Sequence, residues 1–174
     1  MPKAVIRDGD GIPFVRRAID VLRDGGCGDV TVVVGAAVDE VSALVEQSGV
    51  RIVHAEDWAQ GMGTSLRAGL SDALDGDASC ALVSLVDLPD VGPAVVQRLL
   101  ERLPLSTATL GRASYDGDPG HPVLLGRDHW AGVVGSAHGD RGARDYLAAN
   151  SPRLVECGDL ATGRDVDSPG DLPD

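Results

Sequence analysis

At 174 residues, with 43% apolar and 24% charged side chains, the chain has the composition of one globular unit, 1–174, large enough for a real hydrophobic core. A formal charge of −12 argues against nucleic acid as a partner, because phosphate backbones are normally met by a basic stripe. It leaves room for a small anion clamped by a metal ion and a few placed cations. Apolar stretches such as VTVVVGAAV fall far short of a bilayer span, and the first residues carry no signal-peptide pattern, so a soluble, cytoplasmic protein with no membrane partner is expected. Cys27, Cys80 and Cys157 lie far apart with no CxxC pair; buried thiols are expected, not a disulfide framework or a zinc site.

From Pro13 to Asp24, Phe14, Ala18 and Leu22 recur every four residues beside Val15 and Ile19, which predicts a helix stopped by Gly25 and Gly26. DVTVVVG (29–35) reads as a buried strand, 38–47 as a helix with Val41, Leu44 and Val45 on one face, and VRIVHA (50–55) as the next strand. TSLRAGLSDAL (64–74) is helical, CALVSLV (80–86) a strand, and GPAVVQRLLERL a helix with Pro93 in its first turn. Residues 106–126 read as two strands joined around DGDPG, an antiparallel excursion. DRGARDYLAAN (140–150) is a helix, RLVECG (153–158) a late strand, and DVDSPGDLPD a polar tail. This alternation predicts an α/β sandwich around a mostly parallel sheet.

Asp87 is expected where the strand ALVSLV ends, at the carboxyl side on which open parallel sheets bind ligands. Pro89 cannot continue the ladder and holds Leu88 extended, so Asp87 is aimed in one direction. Such a carboxylate either ligates a divalent cation, Mg²⁺ being the natural choice, or caps a turn. Asp165, Asp167 and Asp171 surround Ser168-Pro169 in a second rigid turn that could converge on the same ion, or simply start a terminal helix with Ser168 as its cap. Gly61 and Gly63 precede a helix at Thr64-Ser65, where free N–H groups favour an anion or a polar ligand edge, although Gly-x-Gly before a helix is more often just a tight turn and no P-loop follows. Arg67 reads as a solvated helix arginine. His121 is the histidine expected to touch ligand; His54, His129 and His138 read as structural or solvated, and Trp58 and Trp130 as packing anchors.

EDWAQGMGTSLRAGL, LVSLVDLPDV, YDGDPGHPVLLG, GDRGARDYL and DVDSPGDL, in this order and spacing, resemble the molybdenum-cofactor cytidylyltransferase-like (MobA-like) nucleotidyltransferases over nearly the whole chain. The resemblance implies a Rossmann-like three-layer α/β sandwich. It also implies transfer of a nucleoside monophosphate from CTP or GTP to a phosphorylated acceptor, most naturally the molybdenum cofactor, with release of pyrophosphate. By that resemblance Asp87 is the metal aspartate, Asp167 its partner ligand for Mg²⁺, Lys3 the phosphate-contacting lysine, and Gly61, Gly63 and Ser65 the nucleotide loop. Gly120, His121, Pro122 and GDRGAR lie toward the acceptor, and a molybdoenzyme or its chaperone is the implied partner protein.

One departure stands out. Family members begin with a buried strand and a Gly-rich loop, whereas this sequence opens at MPKAV. That strand would lie between VTVVV and ALVSLV, so two unpaired edges are expected to face each other across a gap. The corresponding expectation is that Met1 is an internal start and that the short form binds nucleotide weakly and is inactive. Transfer to another phosphorylated acceptor, such as a sugar phosphate or a deazaflavin precursor, and a non-catalytic nucleotide-binding module are the alternative readings.

Overall fold

The structure, a computed structural model, describes residues 2–166. The first helix, α1 (Phe14–Asp24), buries Phe14, Val15 and Ile19, and its end is closed by Gly26 at φ +104°. There the Cys27 N–H donates back to the Leu22 carbonyl at 2.9 Å. Strand β1 (Thr31–Val34), helix α2 (Val38–Val45) and strand β2 (Arg51–His54) follow, and β1 and β2 pair in parallel from Thr31–Arg51 to Val34–His54. Val30, Val34, Val41 and Val45 bury one face of this small sheet against Val15 and Ile19 of α1.

Helix α3 (Met62–Leu74) leads to β3 (Cys80–Val83), and α4 (Pro93–Arg102) to β4 (Leu110–Tyr115) and β5 (Asp118–Gly126). Asp116 and Gly117 join β4 to β5 with φ +52° and +88°, the two positive angles that a tight two-residue hairpin requires. The chain closes with α5 (Arg127–Ser136), α6 (Arg144–Asn150) and β6 (Arg153–Glu156). The second sheet has the order β3-β5-β4-β6, and only β5 runs against the other three strands. Its antiparallel pairings are the expected excursion.

Three layers result. Val95 and Leu99 of α4 pack on one face of the larger sheet with Ala113, Tyr115, Leu124 and Val155. Leu70 of α3, Trp130 and Val133 of α5 and Leu147 of α6 cover the other face with Val123 and Leu125. Trp130 is fully buried and its indole N–H donates to the Leu125 carbonyl at 2.9 Å, as packing-anchor chemistry demands. Trp58 differs: at 45% exposed it is a rim residue, because the ring lies over Gly35 at the surface instead of entering the core. The thiols differ as well. Cys157 is buried, but Cys27 and Cys80 sit at element ends and are only half-buried.

Helix α5 has no counterpart in the sequence-based expectations, and β3 is shorter than expected. The ladder ends at Val83 opposite Val123; the next partner on β5 would be Pro122, which has no N–H to give. Asp87 therefore stands four residues past the last paired residue, on a loop and not at the strand's end. Among the described residues β3 pairs only with β5 and β1 only with β2. No helix among them is long and apolar enough to cross a membrane.

The hairpin is tied to β6 by one carboxylate. Glu156 accepts from the Ser114 hydroxyl (2.8 Å) and from the N–H groups of Asp116 (2.9 Å), Gly117 (3.0 Å) and Gly158 (2.8 Å). These donors, the Gly158 amide first, pull its pKa from the ordinary 4.5 down to about 2. A depressed carboxylate stabilises the fold above its unfolded value and loses that contribution as pH falls toward the folded one. Glu156→Gln should thus lower the urea midpoint at pH 7, and the difference from the natural protein should shrink as pH falls from 4.5 to about 2; an unchanged difference across that window in equilibrium unfolding would contradict this account.

Candidate active site

Lys3 lies in a short 3-10 turn, Lys3–Val5, at the mouth of a cleft of about 560 Å³. Val32, Val33 and Val34 of β1 form one wall, and Gly61, Met62 and Ser65 of α3's first turn form another. Trp58, Val86 and Asp140 complete the rim. The Lys3 ammonium is 2.6 Å from Asp87 Oδ2, and the Asp87 side chain is only 13% exposed. This is a charge-assisted contact in a partly desolvated place, stronger than a surface pair.

The loop carrying Asp87 has no ladder to hold it, and other groups do so. Arg17 donates to the Pro89 carbonyl at 2.6 Å and also faces Asp8 at 3.6 Å, which links the loop to α1. Asp90, the second carboxylate of LVDLPDV, is structural: its Oδ2 accepts from the Thr162 hydroxyl at 2.6 Å and from the Thr162 amide. Val166 N–H donates to the Asp87 carbonyl at 2.9 Å, and Leu88 is buried beneath. The C-terminal segment therefore crosses directly over the loop. Asp167, the expected partner ligand, lies outside the described residues.

Gly61 and Gly63 have a packing reason to be glycine. Gly61 sits at φ +114°, and a Cβ there would run into the backbone of Gly139; one on Gly63 would lie 2.9 Å from the His138 amide nitrogen and 3.0 Å from the Gly139 carbonyl oxygen. Gly61 and Ser65 still line the cleft, whereas Gly63 is buried beneath the 137–140 turn. Helix α3 begins at Met62, two residues before the expected Thr64; Thr64 itself donates to the Gly61 carbonyl at 2.8 Å.

His121 lies within β5 and is half-buried. Burial, reinforced by the Arg112 charge and opposed by Asp87, pushes its pKa down to about 4, so the imidazole is neutral at pH 7. Tyr115 donates to the His121 carbonyl at 2.6 Å and Arg112 Nε to the Gly120 carbonyl at 2.9 Å, which fixes the turn that presents the ring. His129 is structural, bonded to the Tyr146 hydroxyl and the Ala108 carbonyl, and Arg67 is exposed. Lys3, Gly61 and Ser65 thus line one cleft, and Asp87 is joined to it through Lys3, whereas His121 is not among its lining residues.

Among the described residues no group of three His, Cys, Asp or Glu side chains is placed to hold a metal ion. Asp87 offers one carboxylate that already holds a cationic ammonium. Mg²⁺ characteristically takes one or two carboxylates and completes its shell with water and phosphate oxygens, so this donor fits such an ion. Trp58 and Asp140 lie inside quoted motifs, but the sequence reading gave Trp58 a packing role and Asp140 no role of its own, and Arg17 carries no local signal.

This arrangement, a three-layer Rossmann-like sandwich with a cation-carboxylate pair at the mouth of its cleft, defines an α/β protein of the nucleotidyltransferase fold. The family model of the MobA-like NTP transferase domain matches residues 1–154, and the chain belongs to that family. It is 34% identical over 165 residues to the nicotine blue oxidoreductase of Paenarthrobacter nicotinovorans, covering 91% of this chain and 80% of that one. A nucleotidyl transferase from Methanothermobacter superposes with a TM-score of 0.76 at 19% identity, covering 97% of this chain and 81% of that one. Rv0371c of Mycobacterium tuberculosis, solved in complex with manganese, gives 0.72 at 22% identity, with 90% and 81% covered.

Gly61→Ala places a Cβ at a positive φ against Gly139, and a loss of about 1–3 kcal/mol is expected from strain alone. Thermal unfolding reads this directly; a melting temperature equal to that of the natural protein would mean that the 137–140 segment does not brace the cleft.

Proposed function

We propose that the chain is a nucleotidyltransferase that moves a nucleoside monophosphate from CTP or GTP to a phosphorylated acceptor and releases pyrophosphate, with the molybdenum cofactor as the first acceptor to test. Membership of the family supports the reaction class, and the Lys3–Asp87 pair at 2.6 Å is the observation that carries the residue roles.

An acceptor phosphate oxygen attacks the α-phosphorus in line. The new P–O bond forms while the bond from that phosphorus to the bridging oxygen of the β-phosphate breaks, and its electron pair leaves with pyrophosphate. Held by Asp87 and, on the family resemblance, Asp167, a divalent ion such as Mg²⁺ would neutralise charge on the triphosphate. Lys3 turns from Asp87 toward the phosphates and stabilises the charge of the leaving group. Gly61 and Ser65 bound the nucleotide's side of the cleft, and His121, neutral, can donate one hydrogen bond toward the acceptor without adding positive charge. The triphosphate and the acceptor are the only partners this chemistry needs; a molybdoenzyme remains the proposed recipient of the product.

Asp87→Asn keeps the backbone bond from Val166 and the side-chain shape but removes the charge. It should cut pyrophosphate release by about 10²-fold to 10³-fold, the usual cost of one preorganised electrostatic group, with little change in melting temperature. Undiminished release in Mg²⁺ buffer would remove Asp87 from the reaction. A second reading, oxidoreduction, is favoured by the name of the 34%-identical relative. Oxidation of a reduced nicotinamide nucleotide by a dye acceptor, with no pyrophosphate formed from any triphosphate, would replace the first reading with the second.

A further inference from the structure

Two tryptophans, two tyrosines and one phenylalanine are all the aromatic side chains of this sequence, and one of them is left out of the core. Phe14 and Trp130 are fully buried and Tyr115 nearly so. Tyr146 is half-buried, its ring edge-on to His129 and its hydroxyl bonded to that histidine. Trp58 is the exposed one, at 45%, and it does not stand on open surface: it lines the same cleft as Lys3, Gly61 and Ser65. A large ring kept wet inside a concavity forgoes burial that the core would supply, and a ligand ring stacked on it restores that burial.

The ring is held in place from its backbone. Ala55 N–H donates to the Val34 carbonyl at 2.8 Å, Trp58 N–H to the Ala55 carbonyl at 3.1 Å, and Gly61 N–H to the Trp58 carbonyl at 3.0 Å, so a short turn hangs the indole from the end of β1. Gly35 lets it close down: a Cβ there would lie 2.4 Å from Trp58 Cβ and 2.7 Å from its Cγ. Little freedom is then left for a ligand to remove on stacking. The indole N–H, unlike that of Trp130, has no hydrogen-bond partner among the described residues. Asp140 stands on the same rim. A Cβ on Gly61 would meet Asp140 Oδ1 at 2.8 Å, and that carboxylate has no hydrogen bond or ion pair among the described residues.

One cleft thus offers a cation at Lys3 and, on the rim around Gly61, an aromatic face with a free carboxylate. A phosphate chain suits the first and is repelled by the second, whereas a planar base with N–H donors on its edge suits the second. We infer that Trp58 is the stacking platform for the nucleobase of the triphosphate and that Asp140 reads its edge, favouring guanine. Guanine presents N1–H and an N2 amino hydrogen side by side, a match for two carboxylate oxygens; cytosine sets its amino group beside the N3 acceptor, which a carboxylate opposes. This rests on the transferase reading and deepens it, by choosing between GTP and CTP and leaving the acceptor untouched.

The protein carries its own reporter, because Trp130 is sealed in the core and Trp58 is the only other indole. GTP in Mg²⁺ buffer should quench the emission saturably, free tryptophan amide correcting for absorption, and CTP should bind about tenfold more weakly or worse. By calorimetry Trp58→Ala should weaken GTP about tenfold or more, the loss of one stacked base, and Trp58→Phe should recover most of it. Asp140→Asn should keep the quenching and bring GTP and CTP close to equal. Both residues are exposed, so these variants fold. In pyrophosphate release Trp58→Ala should raise the triphosphate KM and leave the acceptor KM unchanged. GTP affinity unaltered in Trp58→Ala, CTP bound more tightly than GTP, or a rise confined to the acceptor KM overturns the inference while the transferase reading stands. Trp58-dependent, guanine-selective binding with no pyrophosphate from any triphosphate keeps the base subsite and fails the transferase reading instead.

Discussion

A missing N–H organises the reacting end of this molecule. Pro122 sits where β5 would next pair with β3, and because it has no donor the ladder stops at Val83 and residues 84–90 leave the sheet as a loop. A loop with unsatisfied backbone groups would be a poor carrier for a rigid carboxylate. Here it is fastened from three directions, by Arg17 to Pro89, by Thr162 to Asp90 and by the Val166 amide to Asp87. The 2.6 Å contact of Lys3 with Asp87 is then made between groups whose backbones are already fixed, so little side-chain entropy is lost in holding it. That is why a pair with one partner 32% exposed can be geometrically definite.

The same economy joins the two sides of the cleft. Helix α3 reaches both sheets: its Gly69 lies over Val33 of β1, and its Leu66, Leu70 and Ala73 pack with Val83 of β3. Its first turn is pinned by the 137–140 segment pressed onto Gly61 and Gly63, and that segment runs on into α6. The wall bearing Ser65 and the turn that leads into α6 are thus braced by one contact that only glycine permits. A side chain at either glycine would disturb both sides at once, although neither glycine need touch a ligand for this to hold.

Much of the architecture was legible because it is written in periodicity. The helices at 14–24, 38–45 and 93–102 and every strand follow apolar spacing, and the DG turn announced the hairpin. Helix α5 was not legible, since Gly132 and Gly135 dilute its helix propensity; the reason for Gly132 is the Tyr146 ring that lies against it, a contact between elements. The end of β3 was misjudged for a similar reason, the limiting residue being on β5 some forty positions away. At the site, Lys3, Asp87 and His121 were visible through motifs, but the anchoring of their loop by Arg17 and Thr162 was not, because hydrogen bonds to carbonyls and to a remote carboxylate leave no pattern in the local sequence.

Charge distribution, not net charge, reconciles an acidic protein with anionic substrates. With a formal charge of −12, the far field repels a triphosphate, yet at physiological salt that repulsion is screened beyond about 8 Å. Within that distance the arrangement is reversed. Lys3 stands 2.6 Å from Asp87 and the charge of Arg112 bears on His121, while Glu156, held in its charged form, is taken up by four donors of its own. An anion approaching the proposed site therefore meets a cost that falls as it enters and a gain that rises as water is excluded, since attraction between fixed charges strengthens as the local dielectric drops. On this reasoning the acidic surface serves selectivity more than it hinders binding: an anion that does not reach Lys3 inside the cleft gains too little to offset the repulsion it crossed.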